Sequence, residues 1–298
     1  MRKPLGAALL ALAIAGAGAV PAAAAPGPAT AAGTATHRTS AASAASPASA
    51  TASIQAVDFA GTVALSNCSG SVVRFPKSVD SDPALVLSNG HCLETGFPKA
   101  GQVIVGQSSS RTFGLLNSSG STVATLRAGK VAYSTMTDTD ITIYQLTVSY
   151  AQIRSSYGIE ALTLADTHPV AGTAIKVVSG YWKRIYSCAI DGFVHRLKEG
   201  DWTWKDSVRY TSACDTIGGT SGSPVVDSAT GKVVAVNNTG NESGGSCTVN
   251  NPCEVDENGK VTVRKGINYA EQTYQIPACF GAGNQLDLSA SGCLLPKP

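Results

Sequence analysis

From Ile54 onward the chain alternates short apolar runs with clusters of Gly, Ser, Asn and Pro. A period of two over four to eight residues places side chains on alternate faces of a strand. That pattern predicts strands over Val103–Val105, Val123–Leu126, Ile141–Leu146, Ala174–Val178, Pro224–Val226 and Val233–Val236. Glu257-Asn258-Gly259-Lys260, set between Val255 and Val261, carries the Asn-Gly signature of a tight hairpin. Helical periodicity is confined to Ser149–Tyr157 and Tyr269–Tyr274, so the chain reads as all-β. Ser149–Thr167 has few strand signals and divides the pattern into two halves.

The first 53 of the 298 residues behave differently, with 22 Ala and only three charged residues, Arg2, Lys3 and Arg38. Arg2 and Lys3, an apolar run from Leu5 to Val20 and the small residues Pro21–Ala25 form the three parts of a secretory signal, expected over residues 1–25. The run is shorter than the roughly 20 residues a membrane span requires. Residues 26–53, rich in Ala, Ser, Thr and Pro, cannot bury enough apolar surface to offset their ordering entropy and read as a linker or propeptide. Residues 54–298 are the expected working domain of an exported protein, with no membrane attachment once the signal is removed.

Charge changes the picture only by exclusion. The net charge of +2 belongs to the leader, because the remainder holds 19 basic and 20 acidic residues. No Lys/Arg stripe is present to bind a phosphate backbone, which argues against a nucleic-acid partner. All eight cysteines (Cys68, Cys92, Cys188, Cys214, Cys247, Cys253, Cys279 and Cys293) lie beyond the leader. Short CxxC or HxxxH pairs, which would gather metal ligands, are absent, so disulfides in an oxidising compartment are expected, with no metal and no cofactor.

Three segments carry chemistry. His91 ends the apolar strand Ala84–Leu87 within Leu87-Ser88-Asn89-Gly90-His91-Cys92, whereas His37 lies in the linker and His168 and His195 lack partner motifs. Gly218-Gly219-Thr220-Ser221-Gly222-Ser223-Pro224 surrounds a serine with glycines that let the backbone bend and its N–H groups converge. Asp138-Thr139-Asp140 precedes the strand opened by Ile141 and Ile143. A serine hydroxyl needs a neighbouring base, and an imidazole needs an acid to fix its tautomer.

The order His91, Asp140, Ser221, at spacings of 49 and 81 residues, resembles a chymotrypsin-like (trypsin-family) serine protease, most closely the secreted bacterial members with a GxSGSP motif. The resemblance covers about residues 55–275. It implies two six-stranded antiparallel β-barrels, about 55–150 and 165–275, with the active site in the cleft between them and a disulfide-bonded tail at 276–298. It implies an endopeptidase acting on peptides or proteins, with Ser221 as nucleophile, His91 as general base and Asp140 rather than Asp138 as the acid. The backbone N–H groups of Gly219 and Ser221 would form the oxyanion hole. Relatives also link the strand holding Cys68 to the histidine turn, implying a Cys68–Cys92 bond. Cys247 with Cys253 and Cys279 with Cys293 are close in sequence, which leaves Cys188 with Cys214.

Departures from the family pattern leave some readings open. Thr220 stands where trypsin-like zymogens carry an aspartate that pairs with a freed N-terminus, so leader removal is the expected maturation step. The same change leaves a catalytically inactive, protease-like binding module as the rival reading. Asp215, six residues before Ser221, occupies the position that selects Arg or Lys in trypsin-like relatives, yet bacterial relatives can carry it without that preference. Asn237 and Asn238 stand where a glutamate-specific relative would bring a histidine, and Asn237 is the other candidate pocket residue. Trp202 and Trp204 alternate with polar residues as on a strand. A monomer is expected.

Overall fold

The computed structural model describes residues 56–298. The signal and linker readings for residues 1–53 lie outside them.

The first barrel closes through β1 (Thr62–Ala64), β2 (Ser69–Arg74), β3 (Pro83–Ser88), β5 (Thr112–Leu116), β6 (Thr122–Thr135) and β7 (Ile141–Ser149), in the ring order β1-β5-β6-β7-β3-β2. β4 (Val103–Ser108) pairs with the second half of β6, beyond the stretch that pairs with β5. Every pair in the ring is antiparallel. Helix α1 (Tyr150–Tyr157) follows, started by a capping box between Ser149 and Gln152 and ended by Gly158 at φ 65°. β8 (Leu162–Thr163) then pairs in parallel with β2, so the connecting stretch still belongs to the first sheet.

The second barrel closes through β9 (Ala174–Ser179), β10 (Arg184–Glu199), β11 (Trp202–Tyr210), β12 (Pro224–Asp227), β13 (Val233–Gly240) and β16 (Asn268–Gln272). β14 (Cys253–Val255) and β15 (Val261–Thr262) extend from β10 as a small hairpin turning through Asp256–Lys260. Tyr269–Tyr274 is a correction, because most of it is strand β16 and not a helix. β16 lies between β11 and β13, so all five of its residues are buried, the polar Asn268, Glu271 and Gln272 among them, and none of the five is β-branched.

Alternation explains how the barrels pack together. On β3, Ala84 and Val86 face the first barrel's interior with Val72, Phe113 and Tyr144. Leu85 and Leu87 face the opposite way, into a second layer with Val178, Val226 and Val236 of the other barrel. Each such leucine contributes about 2 kcal/mol by leaving water. The tail joins this layer through Ile276, Cys279 and Leu295, and the Tyr133 hydroxyl donates to the Pro296 carbonyl at 2.9 Å. Disulfides join Cys68 to Cys92, Cys188 to Cys214, Cys247 to Cys253 and Cys279 to Cys293. No helix among the described residues is long and apolar enough to cross a membrane.

Candidate active site

His91 sits in a single 3₁₀ turn, Gly90–Cys92, at the end of β3. The backbone reaches that turn over Gly90, where a Cβ would lie 2.2 Å from the Thr135 carbonyl oxygen and 2.9 Å from Asp140 Oδ1. Glycine is therefore required at Gly90, and it brings His91 onto Asp140 at two points. His91 N–H donates to Oδ1 at 3.0 Å, and Nδ1 lies 2.7 Å from Oδ2. Asp140 is fully buried, and its backbone carbonyl accepts from Asn89 Nδ2 at 2.8 Å. Asp138 takes no part: it is partly exposed at φ 60° and pairs with Lys205.

Burial opposes a charge on the His91 imidazole. The Asp140 carboxylate outweighs that cost through its charge and its hydrogen bond, with Glu199 adding to it, so the His91 pKa stands above its ordinary value.

Ser221 reaches the same cleft from the second barrel. The β12–β13 ladder continues back along the chain, with Asn237 N–H donating to Ser223 O and Gly222 N–H donating to Asn237 O, both at 2.9 Å. Gly222 has φ 80°, and a Cβ there would lie 2.1 Å from the Ser69 carbonyl oxygen. That closeness lets Ser69 N–H donate to Ser221 O at 2.8 Å. The Cys68–Cys92 disulfide thus joins the residue before Ser69 to the residue after His91, tying together the supports of both side chains. Ser223 is fully buried, which removes it as the accessible hydroxyl.

The turn before Ser221 is closed by Thr220 N–H donating to Ile217 O at 3.0 Å. The Thr220 hydroxyl donates to the same carbonyl at 2.5 Å and accepts from Asn237 Nδ2 at 3.1 Å. Neutral hydrogen bonds hold this loop where trypsin-like relatives use an aspartate. The N–H groups of Gly219 and Ser221 donate to no acceptor among the described residues, while those of Thr220, Gly222 and Ser223 all do. Two unpaired donors beside a serine hydroxyl can receive a developing oxyanion.

The Ser221 hydroxyl donates to the Asn238 carbonyl at 3.2 Å, not to His91. Asn238 is the extra residue where the β13–β16 register shifts between Asn237 and Thr239, a bulge that re-aims its carbonyl. Its side chain donates to Glu271 Oε1 at 3.0 Å. Glu271 is buried, and desolvation, reinforced by the Asp140 charge, raises its pKa from 4.5 to about 8 against the lowering effect of the Asn238 hydrogen bond.

His91 and Ser221 line one cleft of about 690 Å³, solvent at its mouth included, which is room for a substrate side chain. Phe97 and Met136 line it from the first barrel, and Glu199, Trp202, Thr216 and Asn237 from the second. Asn237 is thus in the cleft, its side chain held by Tyr210 and Thr220. Asp215 is not: it is exposed and outside the lining. The close His/Cys grouping of Cys68, His91 and Cys92 has both sulfurs in a disulfide, which removes them as thiolate ligands.

Sequence reasoning passed over Glu199 and Glu271, and it named Asn238 only beside Asn237, with no role for its carbonyl. The paired Asn237-Asn238 was the only visible signal, and Glu199-Gly200 reads simply as a hairpin tip.

A family model described as a trypsin-like peptidase domain matches residues 68–236. No curated protein sequence matches the chain. Among solved structures, the chain is similar to the active form of the Rv3671c protease from M. tuberculosis, at 15% identity and a TM-score of 0.46 over 81% of this chain and 85% of that one. It is similar also to the MamO protease domain from Magnetospirillum magneticum, at 12% identity and a TM-score of 0.44 over 72% and 92% of the two chains. The Nocardiopsis protease gives 14% identity and a TM-score of 0.41 over 72% and 93%.

Proposed function

The chain belongs to the trypsin-like peptidase domain family, and on that premise we propose that it is a secreted serine endopeptidase working through an acyl-enzyme on Ser221. The observation that carries this reading is the two-point contact between His91 and the buried Asp140, at 3.0 and 2.7 Å, in the cleft that Ser221 also lines. In the proposed cycle the Ser221 hydroxyl turns from the Asn238 carbonyl to His91 Nε2. It gives up its proton there and attacks the scissile carbonyl carbon. Asp140 holds Nδ1–H and stabilises the imidazolium.

The N–H groups of Gly219 and Ser221 receive the oxyanion, an effect typically worth about 3 kcal/mol per donor. Collapse of the tetrahedral intermediate expels the amine, protonated by His91, and leaves an ester on Ser221. Water, deprotonated by the same imidazole, then releases the acid. Export is supported by the signal expected over residues 1–25 and by four disulfides. A preference for Arg or Lys selected by Asp215 draws no support from that residue's exposed position.

The test is hydrolysis of a denatured protein or mixed peptide library by the leader-free chain. Ser221→Ala and His91→Ala are each expected to lower turnover by roughly 10⁴- to 10⁶-fold. Hydrolysis unaffected by either change would refute the reading.

A further inference from the structure

Glu199 is the last residue of β10, and the β10–β11 register pairs it directly with Trp202. Directly paired residues project to the same face, so the carboxylate and the indole stand side by side. Glu199 is only 7% exposed. Its Oε1 accepts from Asn250 N–H at 2.8 Å, within the loop closed by Cys247 and Cys253. Its Oε2 is buried and has no hydrogen-bond partner among the described residues. A carboxylate oxygen removed from water and left unpaired is costly, and here it is held at the wall of the substrate cleft.

The surroundings suit one kind of occupant. Phe97 and Trp202, with ring centroids 5.9 Å apart and planes at 65°, form an aromatic wall beside Glu199. Trp202 is fixed by its Nε1–H donating to the Pro98 carbonyl at 2.9 Å, across from the other barrel. Met136 and Val249 add apolar surface. An apolar stem lying on such surface, ending in a cation that meets a carboxylate and ring faces, describes lysine and arginine. The Thr216 and Asn237 side chains are neutral and bond to Asn268, Thr220 and Tyr210, and the other carboxylate lining the cleft, Glu242, is exposed to solvent, which leaves Glu199 as the buried one.

We propose that Glu199, with Trp202 and Phe97, forms a subsite for the cationic side chain of a substrate Lys or Arg, and that Glu199 rather than Asp215 determines this specificity. The proposal rests on the peptidase reading for its substrate but not for the recess itself. Burial raises the Glu199 pKa, opposed by the neighbouring Thr239 hydroxyl, the Asn250 N–H and the His91 charge, and a bound cation would act in the same direction by favouring the carboxylate.

Two measurements test it. The first uses peptides carrying Arg, Lys, citrulline or norleucine at each position flanking the cut. At one position the Arg or Lys peptide should be cleaved with kcat/KM at least ~10-fold above its uncharged counterpart. Glu199→Gln, which keeps an acceptor for Asn250, should bring that ratio close to 1, and Asp215→Asn should leave it as in the parent.

The second measures binding of arginine amide to Ser221→Ala protein by calorimetry, and adding Glu199→Gln should weaken it by about 10-fold or more. A cation preference and arginine amide binding that both survive Glu199→Gln, or the absence of both, overturns the proposal. Arginine amide binding that depends on Glu199 in a protein that cleaves no peptide supports the recess and refutes the peptidase reading.

Discussion

The Ser221 hydroxyl and the Asn238 carbonyl oxygen are 3.2 Å apart in a hydrogen bond that turns the hydroxyl away from His91. The contact exists because a bulge at Asn238 aims its carbonyl at the serine and Glu271 holds its side chain. His91 and Asp140 are meanwhile already joined at two points. The His91–Asp140 pair is thus formed while Ser221 bonds elsewhere, and the proposed cycle requires the hydroxyl to exchange the Asn238 carbonyl for His91.

The protonation of His91 should set the acid limb of activity. Asp140 and Glu199 together raise its pKa against burial, so kcat/KM should climb with pH through an apparent pKa above the ordinary value of about 6.5. Glu199→Gln removes one of the two acidic neighbours and should move the limb toward lower pH. The raised value acts on stability in the opposite sense. His91 contributes stability fully below its unfolded pKa and loses it as pH rises through the folded one. A pH profile of kcat/KM for the parent and Glu199→Gln checks this, and a limb that does not move contradicts it.

Glu271 gives a second pH effect in a different window. Its folded pKa of about 8 lies above the ordinary 4.5, so the folded state holds this proton more tightly than the unfolded chain does. The associated stability is fully present below pH 4.5 and is lost as pH rises to about 8. Between these values the parent should lose stability relative to Glu271→Gln. Denaturant midpoints at several pH values across the window measure this, and parallel curves for the two proteins would count against it.

Thr220 should act through the loop before Ser221. Thr220→Val deletes the hydroxyl bonded to Ile217 and leaves the buried Asn237 Nδ2 without its acceptor. A loss of about 1–2 kcal/mol is expected, seen as a roughly tenfold fall in kcat, with Thr220→Ser recovering most of it. Equal kcat values for Val and Ser variants would show that the hydroxyl does not hold the loop.

These effects divide along what a sequence can display. Strands written as runs of β-branched and other apolar residues were legible whether one face is buried or both, as were the three segments carrying His91, Asp140 and Ser221, because each residue sits in a local pattern. β16 was not legible, since its buried residues include the polar Asn268, Glu271 and Gln272 and none of the β-branched residues that mark the equally buried Val233–Val236. Glu199 and Asp215 were both acids beside turn residues, and only the long β10–β11 hairpin and the Cys247–Cys253 loop bury one and leave the other exposed. The Asn238 carbonyl contact is a backbone interaction set by a register shift, which side-chain identities do not encode.

The most direct test of the central claim is covalent labelling of the leader-free protein with a fluorophosphonate, read by intact mass and peptide mapping. A single adduct on Ser221, abolished by His91→Ala, is the predicted result. A folded protein that takes no label, or takes it elsewhere, for example on the buried Ser223, would contradict the account.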